Sequence, residues 1–365
     1  MRNEKMKDTT ASFEKPRPGP TNSLARYTRL AGQVVLGILI IAGLIWCILF
    51  ISGFIQEQTV PDYVTIIRPP HEVSAILIDD DVVWAGGKDG IFLFDRTGHQ
   101  PLPLPAGAPR FGYVRDLLLD SSGAVWIAHD GGLARYSGGS WDAFSEQSGA
   151  PFRRSLSLLE VSKDTLWVGS DQRIVIRNGY GWQELALPDG ISFASADILF
   201  QDTSGAVWVG CSSPTEGGLF RYEGTEWHAY SLTDGLPHSS VNKIAQDRDG
   251  TVWVATGFAS RGGAALYMNG VWSSITQEDG LSGGSTRSVY VDRDDRIWVG
   301  SEYDGIAVLE NGVWTVLTKA DGLAGNEVKE MIQDEDGVYW FGTDGGLTVI
   351  TNNSSFFPAE GAALP

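Results

Sequence analysis

Eleven residues before a recurring tryptophan, six positions of this chain carry Arg115, Leu156, Asp197, Asn242, Arg287 and Lys329. Guanidinium forks, an ammonium, an amide and a carboxylate at equivalent repeat positions would form a ring suited to an anionic or hydroxyl-rich ligand such as an acidic sugar, since planar forks match carboxylates. Solvated entrance residues, or ion pairs between neighbouring repeats, account for the same side chains without a ligand. Two further candidates lie off the ring position: Arg261, in the stretch Gly257–Gly262 that breaks the repeat's symmetry, and Tyr303, which like Tyr113 could stack on a ligand.

Other chemistries find less support. The five histidines (His71, His99, His129, His228 and His238) form no i,i+4 pair and have no cysteine beside them, which argues against zinc. Asp79-Asp80-Asp81 and Asp292-Arg293-Asp294-Asp295 have the composition of calcium loops but lack the closing Glu, and turn formation accounts for them. Neither a Gly-x-Ser-x-Gly elbow nor a phosphate-cradling Gly-rich loop followed by Lys and Ser or Thr occurs. No cofactor or metal is therefore expected. Asp197 and Glu327 are the carboxylates available near the ring for glycosidase-type chemistry, and nothing in their spacing singles them out.

The elements that would hold the ring follow from the tryptophans themselves. Apolar-Trp-small phrases place Trp84, Trp126, Trp167, Trp208, Trp253, Trp298 and Trp340 at steps of 42, 41, 41, 45, 45 and 42 residues. A period of about 40–45 residues with four strand-like runs per unit is the mark of a β-propeller blade. In the fifth unit, Val241–Gln246, Thr251–Ala255, Ala264–Met268 and Val271–Ile275 are the four runs, with Asn269-Gly270 as a hairpin turn requiring positive φ. Asp stands six residues before the Trp in five units (Asp120, Asp202, Asp247, Asp292, Asp334), and Gly three before it in four of these, which is turn chemistry. A second series, Trp141, Trp182, Trp227, Trp272 and Trp314, falls in the fourth runs, so both series are expected to pack between sheets. The fold class is all-β: a seven-bladed propeller of four-stranded antiparallel blades. Tyr63–Ile67 is expected to supply the last strand of blade seven, with Ser355–Phe357 as competitor, because pairing the two ends of the chain removes an exposed edge.

One segment stands outside this pattern. No charged residue occurs between Arg29 and Glu57, and residues 30–55 are long and apolar enough to span a bilayer as a single helix, too long for the apolar region of a cleaved signal peptide. Seven Lys/Arg against three acidic residues precede it, which places the amino terminus in the cytoplasm and the repeats outside. The expected organisation is a disordered tail (1–29), transmembrane helix (30–55), linker (56–62), propeller (63–360) and short tail (361–365). Residues 56–365 keep 20 of the 27 Lys/Arg and 42 of the 45 Asp/Glu, a formal charge of −22 that repels nucleic acid and anionic lipid. Cys47 and Cys211 are too differently placed to pair.

Asp-Arg-Asp-Gly-Thr-Val-Trp-Val-Ala-Thr (247–256), Asp-Gly-Leu at 234–236, 279–281 and 321–323, and Gly-Gly-Leu-Phe-Arg-Tyr-Glu-Gly-Thr-Glu-Trp (217–227) resemble two-component regulator propeller repeats. The resemblance runs over residues 63–360. It implies an extracytoplasmic sensor module of the kind found in membrane-bound histidine kinases, often responsive to glycans, although no kinase, receiver or DNA-binding region occurs here. Three function classes follow. The first is a membrane-anchored binding or sensor propeller that works with a separate signalling protein. The second is a propeller lyase or glycosidase-like enzyme, and the third a structural interaction module of an envelope complex.

Overall fold

The computed structural model describes residues 34–47, 61–98 and 100–351. Residues 34–47 are helical, and their apolar side chains from Val34 to Trp46 are exposed. Among the described residues no helix is long and apolar enough to cross a membrane. The rest of the expected span, 30–33 and 48–55, lies outside the described residues, as do the tail 1–29, most of the linker and the competing strand Ser355–Phe357.

Residues 64–350 form seven four-stranded antiparallel sheets. The innermost strands are Ala75–Asp79, Val114–Leu119, Ser157–Ser162, Ile198–Gln201, Val241–Gln246, Thr286–Val291 and Val328–Gln333. Each touches the innermost strand of the next blade, and the last touches the first, so the circle is closed. Val64–Ile67 pairs with Gly346–Ile350 as the outer strand of blade seven, the amino-terminal closure expected from the sequence. Blade one is the thinnest, its outer strand being only Pro101–Leu102.

Seven apolar clusters, each shared by two neighbouring blades, make up the core. The inner tryptophans are their largest members and are at most 6% exposed. In the five blades carrying the aspartate, one carboxylate does two jobs. In blade two, Asp120 Oδ1 accepts the backbone N–H groups of Ser122 and Ala124, closing the turn, while Oδ2 accepts Trp126 Nε1 at 2.7 Å. Asp202, Asp247, Asp292 and Asp334 repeat the clasp on Trp208, Trp253, Trp298 and Trp340. Blade one has Ile78 in place of the aspartate, and its Trp84 Nε1 is buried without a partner among the described residues. In three places a residue seven before the Trp ties the preceding blade's turn to its own blade: Glu160 accepts from Ser121, Gln246 from Thr203 and Gln333 from Arg293.

The Asp-Gly-Leu phrases have an equally physical origin. Each ends a short 3-10 turn begun by Ser231, Thr276 or Thr318, whose backbone N–H donates to the carboxylate of Asp234, Asp279 or Asp321. The Leu that follows, Leu236, Leu281 or Leu323, is 3% exposed and pins the turn to the core. Between them the glycine must take positive φ. At Gly280, with φ +120°, a methyl group would also meet Trp314 Cδ1 at 2.6 Å. Gly280→Ala is expected to lower stability by about 2–4 kcal/mol, read as an earlier urea midpoint with an unchanged m-value.

Candidate functional site

The innermost strands bring the six ring residues together. Arg115, Leu156, Asp197, Asn242, Arg287 and Lys329 all line one depression of about 240 Å³ at the mouth of the channel, with Ser74, Tyr113, Ile198, Ser212 and Glu327. In blades two, five, six and seven the pairing of the first two strands slips by one residue. The residue left over is in each case the ring residue: Arg115, Asn242, Arg287 or Lys329. A bulge re-aims a side chain in this way, turning four strand residues toward the mouth.

Arg261 and Tyr303 are not among the lining residues. The irregular loop expected at Gly257–Gly262 is instead a lengthened hairpin: one strand runs to Phe258, its partner begins at Arg261, and Gly262 packs where a side chain would strike Thr256 O. Arg261 thus sits exposed at the hairpin tip. Tyr303 reaches the ring only through Glu302, its hydroxyl donating to Glu302 Oε1 at 3.0 Å.

The ring cations already have partners. Arg115 grips Asp130 with two bonds of 2.9 and 3.0 Å and lies 4.2 Å over the Tyr113 ring. Arg287 reaches Glu327 at 3.1 Å and Glu302 at 3.3 Å, and Lys329 reaches Glu72 at 2.6 Å and Glu327 at 3.4 Å. Arg154, beside Leu156, holds Asp171. Burial works against the Lys329 ammonium, but Glu72, Tyr113 and Glu327 outweigh it and raise its pKa. Burial and the hydrogen bond to Glu72 raise that of Tyr113. Asp197 accepts from Ser195 Oγ and from the Ser212 backbone, while Asn242 donates to the carbonyls of Gly257 and Thr286. Four cations here face six carboxylates, Glu72, Asp130, Asp171, Asp197, Glu302 and Glu327. The expected positive ring is therefore a mixed, slightly acidic one of paired charges, ill-suited to a free small anion and well supplied with fixed donors and acceptors.

One residue further along each innermost strand lies a set that the spacing argument passed over. Ser74, Ser157 and Ser288 donate to carbonyls of the adjoining blade. At the same position Lys243 of blade five reaches across to Glu330 of blade seven at 2.6 Å, with Asp116 of blade two nearby. Lys243 keeps 29% of its side-chain surface accessible although protein encloses it, as befits a residue in a water-reachable lumen. Burial raises the Asp116 pKa to about 6, opposed by Lys243 and by the Leu158 backbone N–H at 2.8 Å. With its folded pKa above the unfolded value of 3.8, Asp116 binds more protons folded than unfolded between these two pH values. Its ionisation thus costs stability above pH 6, and that cost disappears as pH falls through 6 toward 4. Asp116→Asn, which keeps an acceptor for Leu158, is expected to flatten the dependence of melting temperature on pH across this window.

These wedges and their tryptophan clasps define the protein as a seven-bladed β-propeller. Residues 235–258, 280–303 and 322–345 match the family described as two component regulator propeller, so blades five, six and seven carry its repeats. Each match begins at the Gly of an Asp-Gly-Leu turn and ends at the end of the second strand or two residues beyond it. The chain is similar in fold to the extracellular domain of a hybrid two component system from B. thetaiotaomicron, with a TM-score of 0.68 and 16% identity, over 82% of this chain and 42% of that one. It is also similar to virginiamycin B lyase from Staphylococcus aureus (0.58, 15% identity, 80% and 99% covered). A third is PorZ, a surface component of the type-IX secretion system of Porphyromonas gingivalis (0.59, 14% identity, 79% and 48% covered). This chain thus spans less than half of the first and third. No curated protein matches it by sequence. An extracellular domain of a two component system, a lyase and a secretion-system component share the architecture, so function must be argued from the site.

Proposed function

We propose that this chain is a membrane-tethered, extracytoplasmic sensor or signalling-accessory propeller whose ring face binds a neutral, hydroxyl-rich ligand of the glycan class. The observation that carries the reading is the convergence of the six ring residues on one depression, four of them turned into it by repeated bulges. A set of paired charges offers a sugar several fixed donors and acceptors at once, and binding it demands no unpaired charge. Regulator propeller repeats support the sensing role, and the basic flank of residues 1–29 ahead of an uncharged stretch supports the tether and its orientation. A separate signalling protein would carry the message inward.

The test is a thermal-shift screen of the full chain with neutral oligosaccharides, phosphate and small carboxylates. A ligand confined to the native state raises the melting temperature by mass action. A neutral saccharide is expected to raise it in wild type and to lose that effect in Arg115→Ala and Arg287→Ala. Saccharide shifts indifferent to both substitutions would remove the ring from the account. Labelling of an engineered carboxyl-terminal cysteine by an impermeant maleimide on intact cells tests the orientation, and labelling only after lysis would overturn it.

A further inference from the structure

A second depression, of about 370 Å³, opens between blades two and three at the opposite ends of the strands from the ring. Its origin is local: blade three replaces the long aspartate turn with the tight hairpin Lys163–Asp164, where Asp164 takes φ +65°. The groove uncovered by this shortening holds two guanidinium groups. Arg177 lies 4.5 Å from the Phe144 ring centroid, 5.2 Å from Trp126 and 5.3 Å from Trp182. Arg135 stands over Trp126 at 5.4 Å, its carboxylate partner Asp142 at 3.6 Å and largely exposed.

Arg177 differs from the other arginines at these strand ends. Arg221, which faces Trp208 of its own blade as Arg135 faces Trp126, has Asp202 at 3.8 Å and Glu223 at 2.7 Å. Arg296 has Asp292, Asp294 and Glu310, and Arg96 has Asp334, Glu335 and Asp336. No carboxylate pairs with Arg177 among the described residues, and its Nη1 is buried without a hydrogen-bond partner. Burial, and then repulsion from Arg135, depress its pKa. Two carboxylates that line the same groove are engaged elsewhere: Asp120 by its turn and Trp126, Glu160 by Ser121. Asp164, at the turn tip, is the third. A half-buried, stacked guanidinium whose neighbouring carboxylate, Asp142, makes no ion pair with it is costly, and aromatic faces offset only part of that cost.

We propose that the groove between blades two and three is a second ligand site, on the face opposite the ring, where Arg177 and Arg135 together hold a carboxylate or sulfate group of a small anionic ligand. Arg177 would gain, through its remaining N–H groups, the anionic partner that Arg221, Arg296 and Arg96 already possess, and the indole of Trp126 would floor the site. This inference does not depend on the ring's function.

The full chain is titrated with glucuronate, with glucose, and with sulfate against chloride at matched ionic strength, with the melting temperature as readout. Glucuronate, sulfate or both are expected to raise it where glucose and chloride do not. Either arm alone supports the site and tells a carboxylate from a sulfate. The shift is expected to vanish in Arg177→Met, which keeps an apolar stem between the rings, to weaken about tenfold in concentration dependence in Arg177→Lys, and to survive in Arg287→Ala. Without ligand, Arg177→Met is expected to melt no lower than wild type, because an uncompensated charge has been removed. Absence of any anion shift in wild type, or an equal shift in Arg177→Met, would overturn the proposal. So would an unliganded Arg177→Met that melts several degrees lower, since the guanidinium would then be a brace between rings.

Discussion

Lys243→Met is expected to lower stability by about 3–5 kcal/mol, a fall in melting temperature on the order of 6–12 °C for a domain of this size. The substitution leaves Glu330 and Asp116 facing each other across the channel with no cation between them. Methionine fills the space of the lysine stem, so lost packing contributes little. Two consequences separate this account from a general loss of structure. The double variant Lys243→Met/Glu330→Met is expected to recover part of the loss, because Glu330 is no longer stranded and only Asp116 is left without its cation. The single variant is also expected to regain stability on mild acidification, as Asp116, already raised to about 6 by burial, loses its countercharge and takes up a proton more readily. A single variant as stable as wild type at neutral pH would show that lumen water alone satisfies both carboxylates.

The second large effect falls on Asp292. This buried carboxylate accepts Trp298 Nε1 and the Tyr339 hydroxyl, each at 2.9 Å, as well as Arg296 and the turn N–H groups of Asp294 and Arg296. Tyr339 belongs to blade seven, so one side chain closes a turn, orients a core indole and binds two blades together. Trp298 is fully buried and Tyr339 is 2% exposed. Asp292→Ala strands both donors away from water and is expected to lower stability by about 3–5 kcal/mol. Asp120→Ala removes the same clasp where only the blade's own Trp126 depends on it, and is expected to lose about 1–3 kcal/mol. Chemical denaturation of the two variants side by side measures the difference. Equal losses would mean that the cross-blade bond to Tyr339 contributes nothing.

Much of this architecture was legible because it is periodic. Trp84 to Trp340 fix the blade count, and the later tryptophans fall on the outer strands. Val64–Ile67 closes blade seven for the reason that edges are hazardous. Half of the clasp was also legible, since Asp six residues before the Trp recurs five times and marks the turn, whereas its bond to the indole emerged only from the structure. Ring positions could be counted, but their partners could not. Lys329 meets Glu72 across 257 residues and Arg287 meets Glu327 across 40, contacts created by closure of the circle. Of the two readings of these positions, ion pairing between blades is the one those contacts realise. Arg261 lies off the depression because a run of glycines that looked like a loop extends a hairpin, and Tyr303 because its hydroxyl turns to Glu302. Asp116, Lys243 and Glu330 were within reach of the same counting, one residue nearer the tryptophan, and were overlooked because their three blades are not neighbours.

The ring's role is tested most directly by calorimetric titration of the full chain with the neutral oligosaccharide that most raises its melting temperature, comparing wild type with Arg115→Ala, Arg287→Ala and Arg177→Met. The predicted result is saturable binding to wild type, weakened about tenfold or more by either ring substitution and unchanged by Arg177→Met on the opposite face. Binding that ignores both ring arginines, or failure of every neutral saccharide to bind, would contradict it.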